Sequence, residues 1–214
     1  MAPRKQARQA QPNHLGLPPQ RPFQPLRQRA QPRRPRCALH GHNVALCHFP
    51  YDNNEMPPSP DPALWLRRAV SLAVANVENG GGPFGAVIVK GGELVAEGAN
   101  LVTASHDPTA HAEVTAIRRA ATKLNTHDLS GCEIYSSCEP CPMCLGAIFW
   151  ARLDRIYYAA TQLEAAAAGF DDAHFYQQLA LPPTQRQIPM HANPIPGAND
   201  PFLAWRRFSA KVPY

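Results

Sequence analysis

The sequence predicts an α/β protein: a mixed central sheet in a three-layer α/β/α arrangement, preceded by a disordered N-terminal segment. Three observations predict it. Two short apolar runs flank Gly91-Gly92, the signal of an antiparallel hairpin. Strands and helices then alternate, which builds parallel pairing onto that hairpin and places helices on both faces. The composition breaks sharply near Met56, so the 214 residues read as one domain with an appendage.

The appendage comes first. Residues 1–55 hold nine Lys/Arg and two Asp/Glu, a net of +7, whereas residues 56–214 hold twelve basic and fourteen acidic groups, a net of −2; together they give the +5 of the chain. The front segment is rich in Pro, Gln and Arg and shows no helical or strand periodicity. It offers too little apolar surface to offset ordering entropy, so disorder is expected. An Arg-rich tail fits nucleic acid, and an acid-poor leader fits an organelle transit peptide, although Ser and amphipathic pattern are scarce. The preferred reading is a start site placed upstream of the natural one at Met56, because a well-patterned helix begins just after it. Cys37, His40, His42, Cys47 and His48 invite a second metal site, but their spacing matches no zinc finger. No apolar run is long enough to span a membrane and no secretory leader is visible, so no membrane partner is expected. Cysteines that must stay reduced to bind metal fit a cytoplasmic setting.

The domain, expected over 56–214, opens with an amphipathic helix from Ala63 to Glu78, with Leu64, Leu66, Ala69, Val70, Ala73, Val74 and Val77 at helical spacing. Gly80-Gly81-Gly82-Pro83 ends it. Ala86–Lys90 and Glu93–Glu97 are the hairpin strands. Asp107-Pro108-Thr109 before an Ala-rich run marks the start of a helix that reaches about Leu124. Glu133–Ser136 is a short strand feeding a helix that begins near Cys141 and runs to Trp150. Arg155–Ala159 is the next strand. An Ala-rich helix, a helix near Ala173–Leu179 and a last helix over Pro201–Phe208 complete the chain.

The chemistry sits at two of those helix starts. His111-Ala112-Glu113 and Pro140-Cys141-Pro142-Met143-Cys144 together offer one imidazole and two thiolates. Three protein ligands leave a fourth position for water, which makes a catalytic zinc site rather than a structural one. The H-x-E and P-C-x-x-C pairing is the signature of zinc-dependent base deaminases, with the glutamate as general acid/base and not a ligand. Zinc brings the pKa of its water to about 7, and Glu113 can carry the released proton onward. A lone C-x-x-C would also suit a disulfide, a redox pair or half of a structural zinc site. The first two leave His111 and Glu113 unexplained. The third needs Cys138 as fourth ligand, and Cys138 reads better as a neutral buried thiol. One Zn2+ per chain is therefore expected at His111, Cys141 and Cys144.

These motifs lie within longer stretches: Pro83–Lys90, Asn100, Asp107–Arg119, Ser137–Ile148 and the ending Lys211-Val212-Pro213-Tyr214. In them the chain, over Met56–Tyr214, closely resembles the bacterial guanine deaminases of the cytidine deaminase-like superfamily. The superfamily pattern alone does not choose a substrate. Gly169-Phe170-Asp171-Asp172 and Pro201–Tyr214 favour guanine over the tRNA adenosine of relatives that share the zinc motifs. The resemblance implies hydrolytic deamination of a small purine base, guanine, to xanthine and ammonia. It implies substrate contacts from Asn100, Phe84, Ala112, Trp150, Phe170 and Tyr214, and a second proton shuttle at Asp172. It also implies a homodimer that exchanges C-terminal segments.

By residue type alone, Phe84 and Trp150 read as core, Asn100 as a turn former and Asp172 as a helix N-cap. Alternative substrates are guanosine, another aminated heterocycle or tRNA adenosine. The net −2 of the catalytic segment argues against a polyanion, so a nucleic-acid partner is not expected.

Overall fold

A computed structural model of the chain describes residues 61–170 and 172–214. The expected disorder of residues 1–55 and the Cys37–His48 cluster lie outside the described residues. Helix α1 (Pro62–Glu78) starts where Pro62 can take the first helical position and Asp61 Oδ1 accepts the Leu64 amide at 3.1 Å. Its buried stripe is Ala69 and Ala73.

Strands β1 (Gly85–Lys90) and β2 (Glu93–Ala99) form the hairpin. Gly91 and Gly92 turn it at φ 58° and 82°, the left-handed pair that a two-residue hairpin loop requires. A one-turn helix, α2 (Val102–Ser105), leads to α3 (Ala112–Leu124). Then come β3 (Cys132–Cys138), α4 (Pro142–Trp150) and β4 (Arg155–Ala160). The C-terminal part holds α5 (Gln162–Ala167), α6 (Ala173–Ala180), a 3-10 turn at Pro183–Gln185 and α7 (Asp200–Arg207). Helix α2 and the 3-10 turn are too short to leave a periodic pattern in the sequence.

The sheet order is β2-β1-β3-β4, with β1 antiparallel to both neighbours and β4 parallel to β3. Strands β2, β3 and β4 therefore run the same way, and their carboxyl ends share one edge with the start of β1. Phe84, Asn100 and the 138–141 segment are brought to that edge by topology alone.

Alternation sorts the two faces. Ala86, Ile88 and Ile134 pack with Ala112, Ala116, Ala120 and Ile148 on the α3 and α4 side. Val87, Val89 and Tyr135 pack with Ala69 of α1 on the other. The result is a mixed four-stranded sheet between helical layers. Two glycines let the helices seat closely. A Cβ on Gly85 would lie 2.8 Å from the Ala73 amide and collide with the Ala69 carbonyl. One on Gly98 would lie 2.6 Å from the Ala116 amide and collide with the Ala112 carbonyl. Gly98 thus sets how near the first turn of α3 comes to the sheet.

Candidate active site

His111 and Cys141 occupy the same position on two different helices. Each is the N-cap residue, His111 of α3 at φ −62°, ψ 159° and Cys141 of α4 at φ −65°, ψ 167°. Extended backbone at an N-cap turns the side chain across the helix end. Neither side chain caps its own helix, so both are available to a common centre. Cys144 lies one turn into α4, on the face of Cys141.

The three donor atoms gather within 4.8 Å of one another. His111 Nδ1 is 3.6 Å from Cys141 Sγ and 3.5 Å from Cys144 Sγ. Tetrahedral zinc with S and N ligands sets its donors ~3.6 Å apart, so the donor set and its spacing fit zinc without rearrangement. Both cysteines are free thiols, not a disulfide.

The electrostatics match the geometry. Hydrogen bonding from Cys144, with that of His111, pulls the Cys141 thiol down to about 4 against the cost of burial. Cys144 moves the other way, held protonated by its bond to Cys141 and by burial. His111 is raised by its contact with Cys141. These shifts favour a thiolate at Cys141 and a proton on Cys144, and a divalent cation would displace that proton. Two helix N-termini converge here, and their partial positive charge favours anionic sulfur. Cys138 is buried beside the site, its thiol pushed up to about 11 mainly by desolvation, and it bonds the Thr161 carbonyl at 3.5 Å. It stays neutral and lies outside the donor set, as expected.

Glu113 is 5% exposed, and burial raises its pKa. Its Oε1 accepts the Ser136 hydroxyl at 3.1 Å, and its Oε2 accepts the Cys144 thiol at 3.4 Å. A carboxyl raised by desolvation beside such a donor set is suited to taking up and giving back protons.

The remaining expected residues divide into two groups. Phe84 meets Phe170 edge to face at 4.9 Å, and Asn100 is buried at the same sheet edge. The Asn100 Oδ1 accepts the Val102 amide at 3.2 Å, and its carbonyl accepts Asn76 Nδ2 at 2.8 Å. Ala112 is fully buried between His111 and Glu113. Asp172 is the N-cap residue of α6 without a side-chain cap bond, and its charge adds a small push to the His111 pKa, in the same upward sense as Cys141.

Trp150 and Tyr214 are elsewhere within the chain. Trp150 is the last residue of α4, 66% exposed. It lies at the opposite end of α4 from Cys141, about 13 Å along the axis. Tyr214 packs 6.1 Å from Trp150 and 6.3 Å from Trp205. Two residues not expected at the site are Ser136, which bonds Glu113, and Tyr176, whose hydroxyl donates to the Pro140 carbonyl. Period-two alternation from Ile134 would have put Ser136 on the α3 face; Tyr176 left no signal.

Residues 61–160 match the cytidine and deoxycytidylate deaminase zinc-binding region, the class that this fold and donor set define. Over 151 residues the chain is 54% identical to the guanine deaminase of Bacillus subtilis, covering 70% of this chain and 97% of that enzyme. The X-ray structure of that enzyme superposes with a TM-score of 0.69 at 53% identity, over 71% of this chain and 97% of the other. The guanine deaminase from Nitrosomonas europaea gives a TM-score of 0.51 at 37% identity, over 56% of this chain and 70% of its own. A tRNA-specific adenosine deaminase of Aquifex aeolicus is 43% identical over 96 residues, 45% of this chain and 64% of that enzyme. The chain belongs to the guanine deaminase family of the zinc-dependent, cytidine deaminase-like enzymes.

Proposed function

We propose that the protein hydrolyses guanine to xanthine and ammonia. The observation that carries this reading is the His111, Cys141 and Cys144 donor set with buried Glu113 beside it, in a chain matching 97% of a guanine deaminase. When bound there, zinc supplies a water acidified to near neutrality as the nucleophile.

Glu113 takes a proton from that water and delivers it to the ring nitrogen beside the attacked carbon. Asp172, whose charge reaches His111 and Cys138, passes a second proton to the departing amine. Asn100 reads the polar edge of the purine with an amide whose orientation the Val102 bond holds. Phe84, Phe170 and Ala112 wall the base. A site that pairs with polar groups of one base leaves them unpaired when another enters, which is a strong source of selectivity.

The C-terminal segment completes the proposal. Phe202, Trp205, Phe208, Val212 and Tyr214 are all exposed in the single chain, a large apolar surface for a monomer. Exchange of this segment in a homodimer covers it and brings Tyr214, with Trp150, to the partner's substrate. We place the enzyme in purine breakdown and in the cytoplasm, where its free thiols stay reduced. Among the described residues no helix is long and apolar enough to cross a membrane. The deaminase domain, which we assign to residues 56–214, acts on the base alone and does not use nucleic acid. The direct test is Glu113→Gln, which keeps zinc and fold and loses turnover by 10²-fold or more; near-normal activity would remove Glu113 from the reaction.

A further inference from the structure

Ser136 and Ser137 are neighbours in β3, and alternation sends them to opposite faces. Ser137 accepts the Gly85 amide at 3.0 Å and ties β3 to the start of β1. Ser136 is 1% exposed and donates to Glu113 Oε1 at 3.1 Å. The two oxygens of Glu113 are thereby made unequal. Oε1 is anchored to the sheet. Oε2 faces Cys144, where it accepts the thiol at 3.4 Å.

We propose that Ser136 is a positioning residue for the deamination, holding the Glu113 carboxyl so that one oxygen alone serves the proton transfers. The proposal rests on the reading of Glu113 as proton shuttle. A glutamate has three side-chain torsions to fix. Helix α3 fixes its backbone, and Gly98 lets that helix press onto the sheet. Neither fixes the plane of the carboxyl. The carboxyl takes bonds from a backbone amide and from the Cys144 thiol, and Ser136 adds the one anchor from the sheet, from β3, whose end also carries the segment leading to Cys141. One strand therefore supports both the proton carrier and the metal-binding turn. Since Glu113 must accept and release protons in turn, a donor on Oε1 that persists through both states keeps Oε2 aimed at the reacting atoms. Small misplacements of an acid/base group cost rate more than binding.

The test uses full-length, zinc-loaded protein, with rates expressed per bound zinc. Ser136→Ala is expected to keep its zinc and its melting temperature to within a few degrees. Its kcat on guanine should fall about 10- to 100-fold, the worth of a hydrogen bond to a charged group, with KM changed less than about threefold. Ser136→Thr, which keeps the hydroxyl, should recover more than half of the lost rate. In a Glu113→Gln background the added Ser136→Ala should leave residual turnover unchanged, because there is no shuttle left to aim. An unchanged kcat in Ser136→Ala overturns the proposal while leaving Glu113 in place. So does an equal loss in the Glu113→Gln background, which would mean Ser136 acts elsewhere. Full activity of Glu113→Gln itself is the distinct failure, that of the shuttle reading, and the proposal falls with it.

Discussion

The Tyr176 hydroxyl donates to the Pro140 carbonyl at 3.0 Å, joining α6 to the residue that precedes the ligand Cys141. Asp172 lies four residues before Tyr176, one turn away on the same face. Burial raises the Tyr176 pKa, with nearby acidic groups and thiols acting in the same sense, so it stays protonated and keeps its donor. This bond ties α6, the helix that opens at Asp172, to the turn that carries Cys141. Tyr176→Phe is expected to retain zinc and lower guanine kcat about 2- to 10-fold, the net worth of a neutral hydrogen bond. Steady-state kinetics with metal analysis check it; wild-type kcat would show that α6 needs no such anchor.

Zinc should leave as the pH falls. The sign follows from the ligands: Cys144 is held protonated by Cys141 and by burial, and His111 is raised by Cys141. Each must lose its proton to bind metal, so acid competes with zinc. Chelator competition between about pH 8 and pH 6 should show apparent affinity falling about tenfold per unit for each proton displaced. His111→Ala and Cys141→Ser should lack both zinc and activity throughout. A flat affinity profile would contradict the protonation pattern.

Much of this was legible because the relevant signals are local. Helix α1, the hairpin and the two metal-bearing helix starts each carry their own turn, cap or period, and His111, Glu113, Cys141 and Cys144 stand in short motifs. What pairs across the chain was harder. The meeting of Ser136 with Glu113, and of Tyr176 with Pro140, depends on which strand neighbours which helix, and no short-range pattern encodes it. Asp172 was legible as an N-cap position from its residue type, yet its side chain makes no cap bond; only family resemblance raised a role in catalysis.

Deleting residues 1–55 is expected to leave guanine turnover and melting temperature unchanged, since a Pro-, Gln- and Arg-rich composition offers little apolar surface to bury. It should also remove any salt-sensitive nucleic-acid binding, because the +7 of that segment outweighs the −2 of the rest. A marked fall in turnover would make the segment part of the enzyme.

The C-terminus is tested by complementation. Removing Lys211–Tyr214 should lower guanine turnover strongly with zinc intact, because segments that close a site exclude water and position the substrate. If the segment acts on the partner, mixed dimers of that truncation and Glu113→Gln should regain activity: the truncated chain brings Glu113 and the other chain brings Tyr214. Sedimentation should show a dimer. No recovery in dimers shown to have mixed would place Tyr214 at its own chain's Trp150 and nowhere else.

The choice of substrate is tested by ammonia release from guanine, guanosine, adenine, cytosine and cytidine with the zinc-loaded protein. Guanine should yield xanthine and ammonia. Guanosine should turn over slowly, because a pocket closed over the base has little room for ribose, and the other three should release little ammonia. A preference for guanosine, or for either pyrimidine, would contradict the choice of guanine.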